Sequence, residues 1–125
     1  MKEILYVHDD QTDPAPLVQV LKLAGYEVTC AQDARRCISN LSTKRPDIVI
    51  ADILLHGMNG FEFCKAIRQR FGGAALPILL LAGIYRGGTF TEEAMRCGAQ
   101  QYLADPEPAE LGHHVVELIG HPQAA

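Results

Sequence analysis

The chain has 125 residues, of which 48% are apolar, and a net charge of -4 at neutral pH. This length allows one domain, expected over residues 1–121 with a tail over 122–125, and a core that needs no disulfide or structural metal. Because lysine and arginine are not concentrated in any segment and the longest apolar run is far too short to cross a bilayer, the composition argues against direct binding to nucleic acid or a membrane and favours a cytoplasmic location.

The first half of the chain alternates short apolar runs with segments of helical period. The apolar runs predict strands at 4–7, 26–30 and 48–51. Asp13 and Asp33 each have the type and position of a helix N-cap. The run 48–51 is apolar at every position, which is typical of a strand covered on both faces in a parallel sheet. The two predicted helical stripes are formed by Leu17, Val20, Leu21 and Ala24, and by Ala34, Cys37, Ile38 and Leu41.

The second half of the chain continues the same alternation. The run 77–82 predicts a fourth buried strand, and 101–104 predicts a short fifth strand. Thr89, followed by Glu92, resembles a capping box and predicts the start of a short fourth helix. The stripes of the third and fifth helices are formed by Phe63, Cys64, Ile67 and Phe71, and by Leu111, Val115, Leu118 and Ile119.

The four cysteines are widely spaced, with no pair at the spacing of a metal site or a redox motif. Free cysteines are among the most often buried residues, and disulfides are rare in the cytoplasm. We therefore expect buried, reduced thiols at Cys30, Cys37, Cys64 and Cys97.

Five predicted strands that alternate with five predicted helices indicate an α/β fold. The expected architecture is a three-layer sandwich, with a parallel sheet between two layers of helices and right-handed crossover connections. In such sheets the functional residues lie beyond the carboxyl ends of the strands, close to the point where the strand order reverses. The residues at those ends therefore decide the function.

Acidic residues follow three of the predicted strands. Asp9 and Asp10 follow the first strand, Asp52 the third and Asp105 the fifth. An aspartate at a strand end is, by itself, more often a loop cap or a solvated side chain. Several crowded carboxylates repel one another unless a cation lies among them, and oxygen ligands favour Mg²⁺. Asp52, at the end of a rigid buried strand, is the predicted nucleophile.

The chain resembles the receiver domains of bacterial response regulators over essentially its whole length. Segment 4–10 is similar to the first strand and acidic cluster of that family, and 47–62 to its phosphoacceptor strand with the Gly-Met-x-Gly turn beyond it. Segments 77–81 and 98–103 are similar to its fourth and fifth strands. With this resemblance, the expected fold is flavodoxin-like, with a five-stranded parallel sheet in the order 2-1-3-4-5.

The resemblance also implies a set of site residues and partners. Asp52 would accept a phosphoryl group from the phosphohistidine of a histidine kinase or phosphotransfer protein. Mg²⁺ would be held by Asp9, Asp52 and the backbone carbonyl of Leu54, with Asp10 as a further candidate ligand. Tyr102 would match the rotating aromatic residue of strand five. The fourth helix, fifth strand and fifth helix would bind an effector domain or protein, or a second copy in a homodimer.

Three positions depart from the family pattern. His8 replaces the first member of the acidic pair, Ala82 and Gly83 offer no hydroxyl at the end of strand four, and Asp105 replaces a lysine. A lost charge-assisted hydrogen bond costs roughly 1.5–3 kcal/mol, and an aspartate about 5 Å from a phosphate adds a repulsion of about 3 kcal/mol. We therefore expect an altered switch, unless a residue such as Arg86 supplies the missing positive charge.

Three functions remain open from the sequence. The first is a receiver domain that is phosphorylated on Asp52, and the second is a pseudoreceiver that binds proteins without phosphorylation. The third is an enzyme of the same architecture, such as an aspartate-nucleophile phosphatase or a flavin carrier. Such a phosphatase needs a second acid two residues after its nucleophile, where this chain has Leu54. We therefore expect that the protein is not an enzyme.

Overall fold

The computed structural model describes residues 1–71 and 76–122. Its five strands all pair in parallel, in the order β2-β1-β3-β4-β5, so the predicted sheet is confirmed. The strands are β1 (Glu3–Val7), β2 (Glu27–Ala31), β3 (Ile48–Asp52), β4 (Ile78–Leu81) and β5 (Gln101–Leu103). The helices are α1 (Ala15–Leu23), α2 (Ala34–Asn40), α3 (Gly60–Phe71), α4 (Gly88–Arg96) and α5 (Pro108–Ile119).

The core lies in two layers on the two faces of the sheet. Successive side chains of a strand point to opposite faces, so Ile48 and Ile50 pack with α1 and α5, whereas Val49 and Ala51 pack with α2, α3 and α4. These four residues of β3 have no exposed surface. The three-layer sandwich and the doubly covered third strand are therefore confirmed.

The predicted helix starts are partly right. The Asp33 side chain accepts a hydrogen bond from the backbone N–H of Arg36 (3.1 Å), so Asp33 is an N-cap as expected. Helix α1 begins one residue later than the cap at Asp13 predicts, because the side chain of Asp13 accepts from the N–H of Ala15 (3.1 Å) and Pro14 takes the cap position.

The capping box predicted at Thr89 is wrong. Helix α4 begins at Gly88, with Gly87 at the cap position and no side-chain cap. Gly87 has a φ of 115°, a backbone conformation that only glycine adopts easily. The backbone of this glycine, rather than a threonine side chain, sets the start of α4.

The prediction of four buried cysteines is also partly wrong. Cys37 and Cys64 are buried and Cys97 is partly buried, but Cys30 is exposed. Cys30 lies on β2, an edge strand of the sheet that the flanking helices leave largely uncovered.

The N-terminal segment lies close to the last described residue, Pro122. Pro122, the first residue of the predicted tail, accepts a hydrogen bond from the backbone N–H of Lys2 (3.3 Å). The rest of that tail, 123–125, lies outside the described residues. Among the helices that the structure describes, none is long and apolar enough to cross a membrane.

The register of the central strands brings their carboxyl ends to one edge. Val7 pairs with Ala51, and Asp52 pairs with Leu81. The residues that follow β1, β3 and β4 therefore leave the sheet side by side.

Candidate functional site

A cleft of about 400 Å³ opens at this edge of the sheet. Its position is the one expected for a functional site in an α/β fold of this kind. Asp10 is exposed and does not line the cleft, and Tyr102 lies outside it. The predicted site residues that line it are Asp9, Asp52, Leu54, Ala82 and Asp105.

Asp52 is the last residue of β3 and is partly buried. Its Oδ1 atom accepts a hydrogen bond from the hydroxyl of Tyr6 (3.2 Å). Its Oδ2 atom is buried and has no hydrogen-bond partner among the residues that the structure describes. A buried carboxylate oxygen without a partner costs free energy, which makes this atom a candidate for binding something that the protein itself does not supply.

The environment of Asp52 raises the pKa of its carboxyl group. The largest cause is burial, and the negative charge of Asp9 adds to it. The nearby hydroxyls of Thr12 and Tyr6 and the backbone of Asp9 act in the opposite direction, because they favour the ionised form; of these three, Tyr6 makes a hydrogen bond to the carboxylate, while the Thr12 hydroxyl donates to Asp9. The site therefore holds a carboxylate that is costly to keep charged, which is typical of functional positions.

Asp9 is held in a fixed position by the turn that follows β1. Its Oδ1 atom accepts hydrogen bonds from the backbone N–H groups of Gln11 (2.9 Å) and Thr12 (2.8 Å) and from the Thr12 hydroxyl (2.9 Å). Thr12 was not among the predicted site residues, although aspartate side chains commonly bond to the backbone just after them in a turn. All three of these bonds go to Oδ1, and Oδ2 of Asp9 accepts none of them.

The turn after Asp52 is built by two residues that the sequence analysis read only as part of a motif. Asn59 and Glu62 form a reciprocal capping box: each side chain accepts a hydrogen bond from the backbone N–H of the other residue, at 2.8 and 3.0 Å. The N-x-x-E spacing was the signal for it. A Cβ atom at Gly60 would lie 2.8 Å from the carbonyl oxygen of Asp52, so the helix can approach the strand this closely only with glycine there.

The other side of the cleft carries an ion pair. The Asp105 carboxylate pairs with the guanidinium of Arg86, and both side chains are more than half exposed. Arg86 therefore supplies a positive charge beside Asp105, which weakens the repulsion expected from an isolated aspartate. Ala82 is fully buried and provides no hydroxyl at the end of β4.

Tyr102, on β5, does not line the cleft and is held by two contacts. Its hydroxyl donates a hydrogen bond to the carbonyl oxygen of Tyr85 (2.6 Å), and its ring stacks on Phe61 with the ring centroids 5.8 Å apart. Because Tyr85 also lines the cleft, this hydrogen bond links the loop after β4 to the face formed by α4, β5 and α5.

The donor set of the cleft fits Mg²⁺. Three or more histidine, cysteine or acidic side chains do not come together as a metal-binding group anywhere in residues 1–71 and 76–122. Mg²⁺ does not need such a group, because it usually keeps several waters and binds through one or two carboxylates. Asp9 and Asp52, with the backbone of Leu54 at the same cleft, would provide that kind of oxygen environment.

Comparisons with known proteins agree with this arrangement. The profile of the family described as response regulator receiver domain matches residues 4–117. The alkaline phosphatase synthesis transcriptional regulatory protein PhoP of Bacillus subtilis is 29% identical over 126 residues, which cover 99% of this chain and 51% of PhoP. This chain thus spans about half the length of that relative.

Solved structures show the same fold. A structure described as a response regulator from Chloroflexus aurantiacus is 35% identical, with a TM-score of 0.85, and the match covers 94% of this chain and 97% of that chain. The receiver domain of the sensor histidine kinase PA1611 of Pseudomonas aeruginosa is 28% identical, with a TM-score of 0.81 and coverage of 95% and 98%. The PA1611 structure has a magnesium ion coordinated in its active-site cleft.

Proposed function

This chain belongs to the response regulator receiver domain family, and on that premise we propose that it accepts a phosphoryl group on Asp52 from the phosphohistidine of a histidine kinase or phosphotransfer protein. One observation carries the proposal: Oδ2 of Asp52 is buried in the cleft without a hydrogen-bond partner among the described residues. This oxygen is the atom on which a phosphoryl group would be placed.

The transfer is a displacement at phosphorus. An Asp52 oxygen forms a bond to the phosphorus, the bond between phosphorus and the ring nitrogen of the phosphohistidine breaks, and that nitrogen keeps the electron pair and takes a proton from solvent. Asp52 contributes a nucleophile fixed at the end of a buried strand, so little entropy is lost on reaching the reactive geometry. Mg²⁺, which Asp9, Asp52 and the Leu54 carbonyl would hold, would neutralise part of the charge of the phosphoryl group.

The switch that follows phosphorylation is altered in this proposal. A signal reaches an output surface only if the two states make different contacts. Ala82 offers no hydroxyl to a phosphoryl group, and the positive charge of Arg86 is shared with Asp105. We infer that phosphorylation is transmitted weakly to the surface of α4, β5 and α5, where an effector domain, an effector protein or a second copy would bind. The protein would act in the cytoplasm and would not turn over a substrate.

The second candidate is a pseudoreceiver that binds partner proteins without phosphorylation. The observation that favours it is the end of β5, where an acidic residue, Asp105, stands in a salt bridge and, within residues 1–71 and 76–122, no lysine lines the cleft. Both candidates have the same fold, so only the chemistry of Asp52 separates them.

Incubation with acetyl phosphate and Mg²⁺, followed by mass spectrometry of the intact protein, tests the proposal. We expect a gain of one phosphoryl group that is absent in Asp52→Asn. Asp47→Asn is the matched control, because Asp47 is an exposed carboxylate that accepts a backbone hydrogen bond from Glu3 (2.7 Å), away from the cleft. A wild-type protein that gains no mass would favour the pseudoreceiver, and an Asp52→Asn variant that still gains mass would overturn Asp52 as the acceptor.

A further inference from the structure

Tyr6 brings a hydroxyl to the acceptor aspartate from the neighbouring strand. It lies on β1 and pairs in register with Ile50, two residues before Asp52 on β3. Because alternate residues of a strand share a face, the Tyr6 ring lies on the same face of the sheet as the Asp52 side chain. The ring extends along this face, so its hydroxyl reaches Oδ1 of Asp52 (3.2 Å).

The hydroxyl of Tyr6 is the polar end of an otherwise buried side chain. Only 1% of Tyr6 is exposed, and its strand neighbours Ile4 and Val7 are buried and apolar. A buried tyrosine hydroxyl needs a partner, and the partner here is the Asp52 carboxylate. Burial and the charge of Asp52 raise the pKa of Tyr6 far above its ordinary value, so the hydroxyl keeps its proton and acts as a donor.

The Tyr6 ring is held in place by a contact that also reaches Asp9. It packs against the ring of His8, with the centroids 5.4 Å apart, and His8 is only 5% exposed. Nδ1 of His8 lies 2.8 Å from the backbone carbonyl oxygen of Asp9. That oxygen can only accept, so Nδ1 carries the proton and donates it. Tyr6 and His8 thus contact the carboxylate of Asp52 and the backbone of Asp9.

We propose that Tyr6 is a positioning residue for phosphoryl transfer, whose hydroxyl holds Oδ1 of Asp52 so that the unpartnered Oδ2 is presented to the incoming phosphorus. This inference rests on the proposed function. β3, which carries Asp52, lies between β1 and β4. On the β1 side, Tyr6 supplies a hydroxyl, whereas on the β4 side the residue after the strand is Ala82, which has none. The distance of 3.2 Å is longer than is usual for an O–H···O hydrogen bond, and hydrogen bonds in functional sites are often long before the substrate is bound.

A pair of matched tyrosine variants tests this role. Tyr6→Phe removes one oxygen and keeps the ring. Tyr26→Phe makes the same chemical change in another buried tyrosine, whose hydroxyl donates to the carbonyl oxygen of Gly120 (2.8 Å), away from the cleft. We expect Tyr6→Phe to lower the maximal rate of labelling by acetyl phosphate and Mg²⁺ by about tenfold, the effect of losing one hydrogen bond to a charged group. The acetyl phosphate concentration for half-maximal rate should change by less than about twofold, because Tyr6 orients the nucleophile and does not bind the donor.

A spectroscopic measurement on the wild type does not depend on the folding of a variant. In protein carrying ¹³C-labelled tyrosine, the ζ-carbon resonance of Tyr6 should shift when acetyl phosphate and Mg²⁺ are added, while that of Tyr26 should not. A Tyr6 hydroxyl that does not contact the Asp52 carboxylate in solution would give no such shift.

The outcomes separate this inference from the proposed function. If the wild type is labelled and Tyr6→Phe is labelled as fast as Tyr26→Phe, the positioning role is wrong and the phosphoacceptor role stands. If Tyr6→Phe does not fold, an unchanged Tyr6 resonance in labelled wild type overturns the role in the same way. If the wild type is not labelled at all, both proposals fail.

Discussion

Two partly buried charged groups of this protein, Arg68 and Asp52, differ in how many hydrogen bonds their side chains make. Arg68 on α3 donates to the carbonyl oxygens of Gly98 (3.0 and 2.8 Å) and Leu76 (2.7 Å) and to the side-chain oxygen of Gln100 (2.9 Å). Asp52 accepts one bond from Tyr6 through Oδ1, and its Oδ2 has no partner among the described residues. Burial lowers the pKa of Arg68 and raises that of Asp52, so both groups carry a desolvation cost.

The difference shows which charge serves the fold and which serves the function. The hydrogen bonds of Arg68 join α3 to the segment before β4 and to the segment before β5, so its desolvation is offset by contacts that stabilise the domain. The desolvation of Asp52 is offset only in part. A fold retains such a group when a ligand or a reaction uses it, and activity then conflicts with stability.

The largest effect on the free energy of unfolding is expected from removing the charge of Arg68. Arg68→Met keeps an unbranched apolar stem but leaves the carbonyl oxygens of Gly98 and Leu76 without their donors. We expect a loss of about 3 kcal/mol in the free energy of unfolding, because several hydrogen bonds to a charged group are lost together. Urea denaturation followed by circular dichroism measures it.

The control for this variant lies on the same helix. Arg70 is exposed and makes one long hydrogen bond to Ser42 (3.4 Å), so Arg70→Met should change the free energy of unfolding by less than about 0.5 kcal/mol. Equal losses in the free energy of unfolding for the two arginine variants would show that Arg68 stabilises the fold no more than an exposed arginine does.

Removing the charge of Asp52 should have a smaller effect of opposite sign on the free energy of unfolding. Because the pKa of Asp52 is raised in the folded protein, the folded state holds its proton more tightly than the unfolded chain does, and stability falls as the pH rises through this range. The penalty is fully present once the pH lies above the folded-state pKa of Asp52. Asp52→Asn removes the charge, and we expect it to raise the free energy of unfolding by about 1 kcal/mol without added metal.

This gain should be specific to the cleft and to neutral pH. Asp47→Asn should give no stabilisation, since Asp47 is exposed and its carboxylate is bonded to the N–H of Glu3. The advantage of Asp52→Asn should shrink in acid, where the wild-type carboxyl is protonated. A destabilised Asp52→Asn at neutral pH would mean that Asp52 stabilises the fold.

The smallest effect concerns the ion pair at the rim of the cleft. Arg86→Ala leaves the charge of Asp105 unpaired, and we expect labelling by acetyl phosphate to slow by about threefold, with little change in stability, because exposed charges interact weakly. Asp105→Lys should accelerate labelling. Arg96→Ala breaks another exposed pair, with Glu93 (2.7 Å), and should leave the rate unchanged. A slower Asp105→Lys variant would contradict this electrostatic account.

Much of the fold could be predicted because burial leaves a local pattern in the sequence. The consecutive apolar residues 48–51 predicted a strand covered on both faces, and β3 is such a strand. The N-cap at Asp33 followed from the same kind of local signal. The start of α4 did not, because the backbone conformation of Gly87 overrides the side-chain pattern of Thr89.

The candidate site could be predicted only where it depends on topology. The carboxyl ends of parallel strands lie at one edge of the sheet, so Asp9 and Asp52 were predicted to lie close together. Both line the cleft. The contact of Tyr6 with Asp52 depends on the register between two strands. In the apolar run that predicts β1, Tyr6 counts only as one more apolar residue. The ion pair of Arg86 and Asp105 joins two loops that are distant in sequence. The charges alone could suggest that Arg86 supplies a positive charge to the site, but not that it pairs with Asp105.

The most direct test of the central claim is to identify the phosphorylated residue. Reduction of the labelled protein with borohydride converts an aspartyl phosphate to homoserine, which peptide mass spectrometry locates. The account predicts homoserine at position 52 and nowhere else. Modification at Asp9, Asp10 or Asp105, or at no residue, would contradict it.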